Sequence, residues 1–139
     1  MVYVRHKFKY KNIDGFFRPL LNITIRNGKK LINYAVLVDS GADYNIFHMD
    51  IARFLNIDLS NAKDVSFGGI KKGEEGLGKG KLGMIDIGIE RIFFPSFAIF
   101  SDDVSDEGYA IVGQRGFFEN FKSVQFNYPE KQGYLKEFG

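Results

Sequence analysis

The chain has 139 residues, 45% of them hydrophobic and 26% charged, which suffices for a single domain (1–139) with a real core. It contains no Cys, which excludes disulfide frameworks, thiolate nucleophiles and Cys-based zinc sites. The net charge is +2 with the cations spread along the sequence, so no nucleic-acid partner is expected, and no run approaches the roughly 18 apolar residues of a membrane span.

The opening residues, MVYVRHKFKYKNIDG, carry charges every few positions and no apolar stretch of signal-peptide length, so a cytoplasmic protein is expected. Residues 2–10 step through Val2, Val4, Phe8 and Tyr10 as a first strand, and 12–15 reads as a turn. Residues 16–26 form a clearer strand. Asn27-Gly28 follows, the dipeptide that best tolerates the positive φ angles of a type I′ hairpin turn. Residues 31–38 are the returning strand, and it runs straight into Asp39. Residues 43–56 change period: Ile46, Phe47, Ile51, Phe54 and Leu55 suit a short helix with His48 or Asp50 near its start. Residues 65–70 read as a short strand, 70–81 as a Gly-rich segment with little to bury, and 82–89 as a strand. A dense apolar strand covers 92–100, an acidic loop 101–108, and a buried strand 109–113. A short helix suits 116–121, and 124–128 with 133–138 make a closing hairpin. Short strands, Gly-rich turns and one or two short helices predict an all-β class. The 15 Phe residues are expected mainly in the core.

Three features other than Asp39 invite a functional reading. Residues 73–80, GEEGLGKG, fit the start of a phosphate-binding loop, but Gly80 stands where a hydroxyl must ligate magnesium and a strand, not a helix, follows. The acidic residues Asp102, Asp103, Asp106 and Glu107 lack the spacing of a calcium loop and read as solvated surface. His6 and His48 have no evident partners, and His48 reads as a helix-start residue.

Asp39 differs from these. The run Tyr34-Ala-Val-Leu-Val38 is a buried strand, and a carboxylate at its end costs several kcal/mol to bury unless it is paired or hydrogen-bonded. Ser40 supplies a hydroxyl beside it. Gly41 lets another backbone approach closely. Asp43 is a second acid, better suited to a structural or substrate-backbone contact than to catalysis.

The sequence Val38-Asp39-Ser40-Gly41-Ala42-Asp43 resembles the catalytic loop of the retropepsin-like aspartic proteases. The likeness spans residues 18–138 in order: a hairpin ahead of the Asp, a Gly-rich hairpin at 65–82 in the place of the flap, and Ile111-Val112-Gly113 followed by a short helix, as in bacterial and archaeal relatives. The resemblance implies a closed-barrel-like, single-lobe acid-protease fold. It implies an endopeptidase with Asp39 as the catalytic acid, supported by Ser40 and Gly41. Substrate would be bound by Gly41, Ala42, Asp43 and, from the flap, Gly68, Gly69 and Ile70, with no metal and no cofactor. One departure is Gln114, where the family often has an Arg that braces the acid two residues past the catalytic Gly; Arg115 is next to it.

An aspartic protease needs two carboxylates around one water, and this chain has one Asp-Ser-Gly motif; Asp86-Ile87-Gly88 has Ile where the hydroxyl belongs. The second acid is therefore expected from a second copy, as a homodimer with Asp39 and Asp39′ on the axis and a peptide or protein as substrate. The tail 124–139 either interleaves with that copy or folds back on its own chain. A non-proteolytic peptide-binding or dimerisation module on the same fold is the alternative.

Overall fold

The first strand, Arg5–Ile13 (β1), sends His6 and Phe8 inward and its cations outward, the period of two that a half-buried strand requires. In the computed structural model, residues 4–68, 70–71, 74–75, 78–104 and 108–139 are described. Asp14 and Gly15 both take positive φ, 53° and 88°, and turn the chain into Phe16–Asn27 (β2). This is the double positive-φ requirement of a type I′ turn, met by an Asp-Gly pair.

Lys30–Val38 (β3) returns antiparallel to β2, with Asn27 facing Lys30. The two turn residues are thus Gly28 and Lys29, and only Gly28 has positive φ (61°). The expected hairpin is present, but its turn is shifted by one residue and is not type I′.

After Asp39 the sequence-based helix divides. Ile46–His48 is a short strand (β4), and only Met49–Phe54 is helical (α1). Nδ1 of His48 accepts the backbone N–H of Asp50 and caps α1, as expected of a helix-start residue.

Asp64–Phe67 (β5) and Gly78–Ile89 (β8) form a hairpin, with Ile70–Lys71 (β6) and Glu74–Glu75 (β7) paired toward its tip. The remaining strands are Ile92–Ser101 (β9), Ala110–Val112 (β10), Ser123–Asn127 (β11) and Gln132–Lys136 (β12). A single 3-10 turn covers Phe118–Asn120.

The sheet runs β11-β12-β1-β2-β3-β10-β4-β9-β8-β5, and β2 also pairs with β8. Strands β2, β3, β10, β4, β9 and β8 therefore close on themselves, which removes the open edges a flat sheet would leave. This is the closed, all-β arrangement expected from sequence. The terminal hairpin β11–β12 pairs with β1 of the same chain, so the tail folds back.

Inside the ring lie Ile25, Val36, Phe47, Ile87, Phe100 and Val112, all fully buried. Phe94, Phe117 and Phe121 form an aromatic cluster with centroids 5.3–6.0 Å apart. The Phe residues are divided rather than gathered in the core: Phe16, Phe17, Phe54, Phe93, Phe126 and Phe138 are exposed. Among the described residues no helix is long and apolar enough to cross a membrane.

Candidate active site

Asp39 stands where β3 leaves the closed ring. β10 lies between β3 and β4, parallel to β3 and antiparallel to β4. The ladder with β10 continues one residue past the strand, because the Asp39 N–H donates to the Val112 carbonyl at 3.0 Å. The chain then turns sharply: Ala42 N–H donates to the Asp39 carbonyl at 3.2 Å, and Gly41 N–H donates to Asp39 Oδ1 at 2.8 Å. The carboxylate is half-buried at the rim, not sealed inside, and this backbone donor supplies part of what burial removes.

Residues 113–115 form the back of this loop. Gln114 N–H donates to the Ala42 carbonyl at 2.9 Å and Arg115 N–H to the Asp43 carbonyl at 2.8 Å. The Gln114 side-chain amide donates to the Ser40 carbonyl at 2.7 Å. Gly113 is required by contact: a Cβ there would lie 2.4 Å from the Ala42 carbonyl oxygen. Its carbonyl accepts the Phe118 N–H at 3.0 Å, tying the loop to the 3-10 turn.

Below the loop sits Asn45, fully buried. Its Oδ1 accepts Gly113 N–H at 3.1 Å, while Nδ2 donates to Ser96 Oγ at 3.1 Å and to the Phe97 carbonyl at 3.2 Å. Ser96 Oγ donates onward to the Gly116 carbonyl. Asn45 thus joins β4, β9 and the segment behind Asp39. Sequence reasoning missed it; the available signal was an isolated amide beside an apolar pair, Tyr44-Asn45-Ile46-Phe47.

The structure gathers Asp39, Ser40, Gly41, Ala42 and Asp43 into one loop. Ser40, Gly41 and Asp43 are exposed. The Asp43 carboxylate pairs with no cation among the described residues, and Arg115 meets it through the backbone only. Gly68 ends the β5 arm of the hairpin and Ile70 begins the tip pairing with Glu75; Gly69 lies outside the described residues. No hydrogen bond among the described residues joins Gly68 to the Asp39 loop.

Two glycines of the hairpin, Gly78 and Gly80, are closely packed. A Cβ on Gly78 would fall 2.3 Å from the Phe67 ring, and one on Gly80 2.5 Å from the Phe100 carbonyl. Between them, Lys79 is clipped to the end of β9: its N–H donates to Asp103 Oδ2 at 2.8 Å, and its carbonyl accepts Ser101 Oγ at 2.5 Å. Asp102 meets Arg53 at 3.3 Å. Both acids of the described part of the 101–108 loop are thus engaged; Asp106 and Glu107 lie outside it. Among the described residues no group of three or more acids and histidines is placed to hold a metal ion.

His6 does have partners: Nδ1 is 3.0 Å from Glu90 Oε1 and Nε2 is 2.5 Å from Glu137 Oε2. They tie β1 to the β8–β9 turn and to the chain end, and neither contact involves the Asp39 loop.

No protein-family model and no curated protein sequence matches this chain. Among solved structures, the chain is similar to a retropepsin-like aspartic protease from Rickettsia conorii, with a TM-score of 0.63 and 16% identity over 99% of this chain and 95% of that one. At that identity the likeness concerns architecture, and this chain has the all-β, single-lobe retropepsin-like fold.

Proposed function

We propose that the protein is an aspartic endopeptidase acting as a homodimer, with Asp39 and Asp39′ on either side of one water. The observation that carries this reading is the placement of Asp39 on a rim loop braced at three carbonyls: Ser40, Ala42 and Asp43 each accept a hydrogen bond from Gln114 or Arg115. A reacting carboxylate needs such fixed geometry, because small displacements are costly in rate.

Two carboxylates sharing a water do not both ionise, since each charge disfavours the other, so the pair titrates as a unit holding one proton. The ionised Asp takes a proton from the water. The resulting oxygen nucleophile attacks the peptide carbonyl carbon. The protonated Asp donates to the carbonyl oxygen and stabilises the tetrahedral intermediate. Collapse breaks the C–N bond, a proton passes to the leaving amine, and the dyad regains its single proton. The exposed Ser40 hydroxyl bonds across the dimer axis and holds the two loops together. The Gly41 carbonyl and the 42–43 backbone receive the substrate as an extended strand, and residues 68–70 of the 64–81 hairpin cover it, adding main-chain bonds and excluding water. No metal or organic cofactor enters this scheme.

Asp39→Asn tests it. The variant is expected to lose cleavage of a peptide library while its thermal unfolding and sedimentation match the parent. Undiminished cleavage by Asp39→Asn would remove Asp39 from the chemistry. Full activity from a chain that sediments as a monomer at every concentration would remove the shared dyad.

A further inference from the structure

Cations that look dispersed along the sequence are gathered by the fold. The strands β11, β12, β1 and β2 contain no Asp or Glu, although the chain has 17 acids. Arg5, Lys7, Lys9 and Lys11 occupy alternate positions of β1, and all four are exposed, because His6 and Phe8 between them turn inward. Exposed Arg18 stands in register with Lys11 on β2. Alternate residues of a strand lie about 6.7 Å apart, so the four β1 cations form a row about 20 Å long. Lys7, Lys9 and Lys11 have no acidic partner among the described residues.

This row borders a trough. β1 and β2 pair only from Lys9 and Leu20 to Ile13 and Phe16; before Lys9 the strands diverge, and β8 joins β2 instead, at Thr24 and Gly88. The fork leaves two adjoining concavities of about 370 and 280 Å³ that share Lys9, Leu20 and Asn22. Lys7, Lys9 and Lys11 form one wall, Leu20 and Asn22 the floor, and half-buried Tyr109 the far wall. The acid in the lining, Glu90, is engaged by His6 Nδ1.

We infer that this trough binds an extended acidic segment of a partner protein. The match is one of period as well as sign. An extended peptide presents alternate side chains on one face at the same spacing of about 6.7 Å, so acids at every second position meet successive lysines of β1. The Asn22 amide serves the peptide backbone. Single-stranded nucleic acid is less well served, because it needs open aromatic faces for stacking. Tyr134, beside Lys7 on this sheet face, has the Arg5 guanidinium 5.0 Å over its ring. The binding does not depend on catalysis at Asp39.

The test is fluorescence anisotropy with a labelled peptide carrying Glu at alternate positions, its Gln counterpart, a labelled single-stranded oligothymidylate, and phosphatidylserine vesicles. The protein variant is the triple change Lys7→Gln, Lys9→Gln, Lys11→Gln, whose unfolding temperature is checked against the parent. The Glu peptide is expected to bind the parent, to weaken as salt rises from about 50 to about 300 mM, and to bind the triple variant about tenfold or more weakly. The Gln peptide is expected not to bind. No binding of the Glu peptide, equal binding by parent and variant, or binding confined to the oligonucleotide or the vesicles would each overturn the inference.

Discussion

Asn45 offers the most direct test of how the Asp39 loop is supported. It is fully buried and satisfies three groups with one amide. Asn45→Ala deletes all three bonds. Ser96 Oγ keeps its bond to the Gly116 carbonyl, which uses its one proton, so the Phe97 carbonyl loses its side-chain donor. Gly113 N–H has no second partner among the described residues. A buried donor left without an acceptor costs about 1–3 kcal/mol. The vacated volume adds about 0.5–1 kcal/mol. The sum, about 1.5–4 kcal/mol, is a large part of the 5–15 kcal/mol or so typical of a small domain. The chain has no Trp, so urea unfolding is followed by far-UV circular dichroism, at fixed protein concentration because the homodimer proposed above would make the midpoint concentration-dependent. The midpoint is expected to fall with the slope unchanged. Asn45→Asp is the companion: it keeps an acceptor for Gly113 but sets a buried charge against the Phe97 carbonyl. Its carboxyl is driven to the neutral form, so the damage is full at neutral pH and lessens as pH falls through the raised value. A change below about 0.5 kcal/mol in Asn45→Ala, the range of ordinary surface substitutions, would refute the supporting role.

Three further outcomes follow from the same region and its surroundings. Gly116→Ala combines a φ of +90° with a Cβ 2.8 Å from Asn45 Nδ2 and 2.9 Å from the Phe97 carbonyl, so a loss of about 2–5 kcal/mol is expected by the same urea titration. Gln114→Ala removes the exposed 2.7 Å bond to the Ser40 carbonyl; stability is expected to fall by only about 0.5–1.5 kcal/mol, while kcat for peptide cleavage falls about tenfold to hundredfold as the loop loosens. Ser60 donates twice to Asp58 Oδ1, through its hydroxyl and its N–H, and holds that carboxyl below the usual aspartate value. A lowered folded pKa contributes stability above the unfolded value and loses it as pH falls through the folded one, so the unfolding temperature is expected to drop below about pH 4 and the drop to be shallower in Asp58→Asn.

The parts of the fold that were legible in the sequence are those whose signal is local. β3 is an apolar run ending in a charge, β9 is a dense apolar run, and β2 alternates over enough residues for the period to be read. Asp14-Gly15 announces its turn through two residue types that accept positive φ. β4 was read as helix because three residues carry no period, and its partner Ile99 lies 53 positions further along in the β9 register with Ile46. The same limit hid the two carboxylates on His6, 84 and 131 residues away. Phe67 over Gly78 and the β9 backbone against Gly80 are likewise contacts no local pattern encodes. In the candidate site the Asp39–Asp43 loop was readable as a motif. Its support at Asn45 and Gly113 was not, because a buried amide is recognised only by what it bonds.

Gln114 stands where the resemblance to the retropepsin-like proteases would place a cation, and the difference bears on how the loop is held. An Arg at that position would act through charge on a carboxylate, and its effect would weaken as that acid is protonated. Gln114 acts on the backbone instead: its side chain holds the Ser40 carbonyl and its N–H holds the Ala42 carbonyl, on either side of Gly41. Neither bond involves a titrating group, so the brace on the Asp39 loop persists at the acid pH where a carboxylate dyad holding one proton would work. The same difference leaves the exposed Asp43 carboxylate with no cation among the described residues. Introducing the charge with Gln114→Arg is therefore expected to work against the loop. It replaces the short amide that reaches the Ser40 carbonyl with a longer cation drawn toward the exposed Asp43 carboxylate, and cleavage of the peptide library is expected to fall. Unchanged activity would show that the Ser40 carbonyl needs no brace from this side chain.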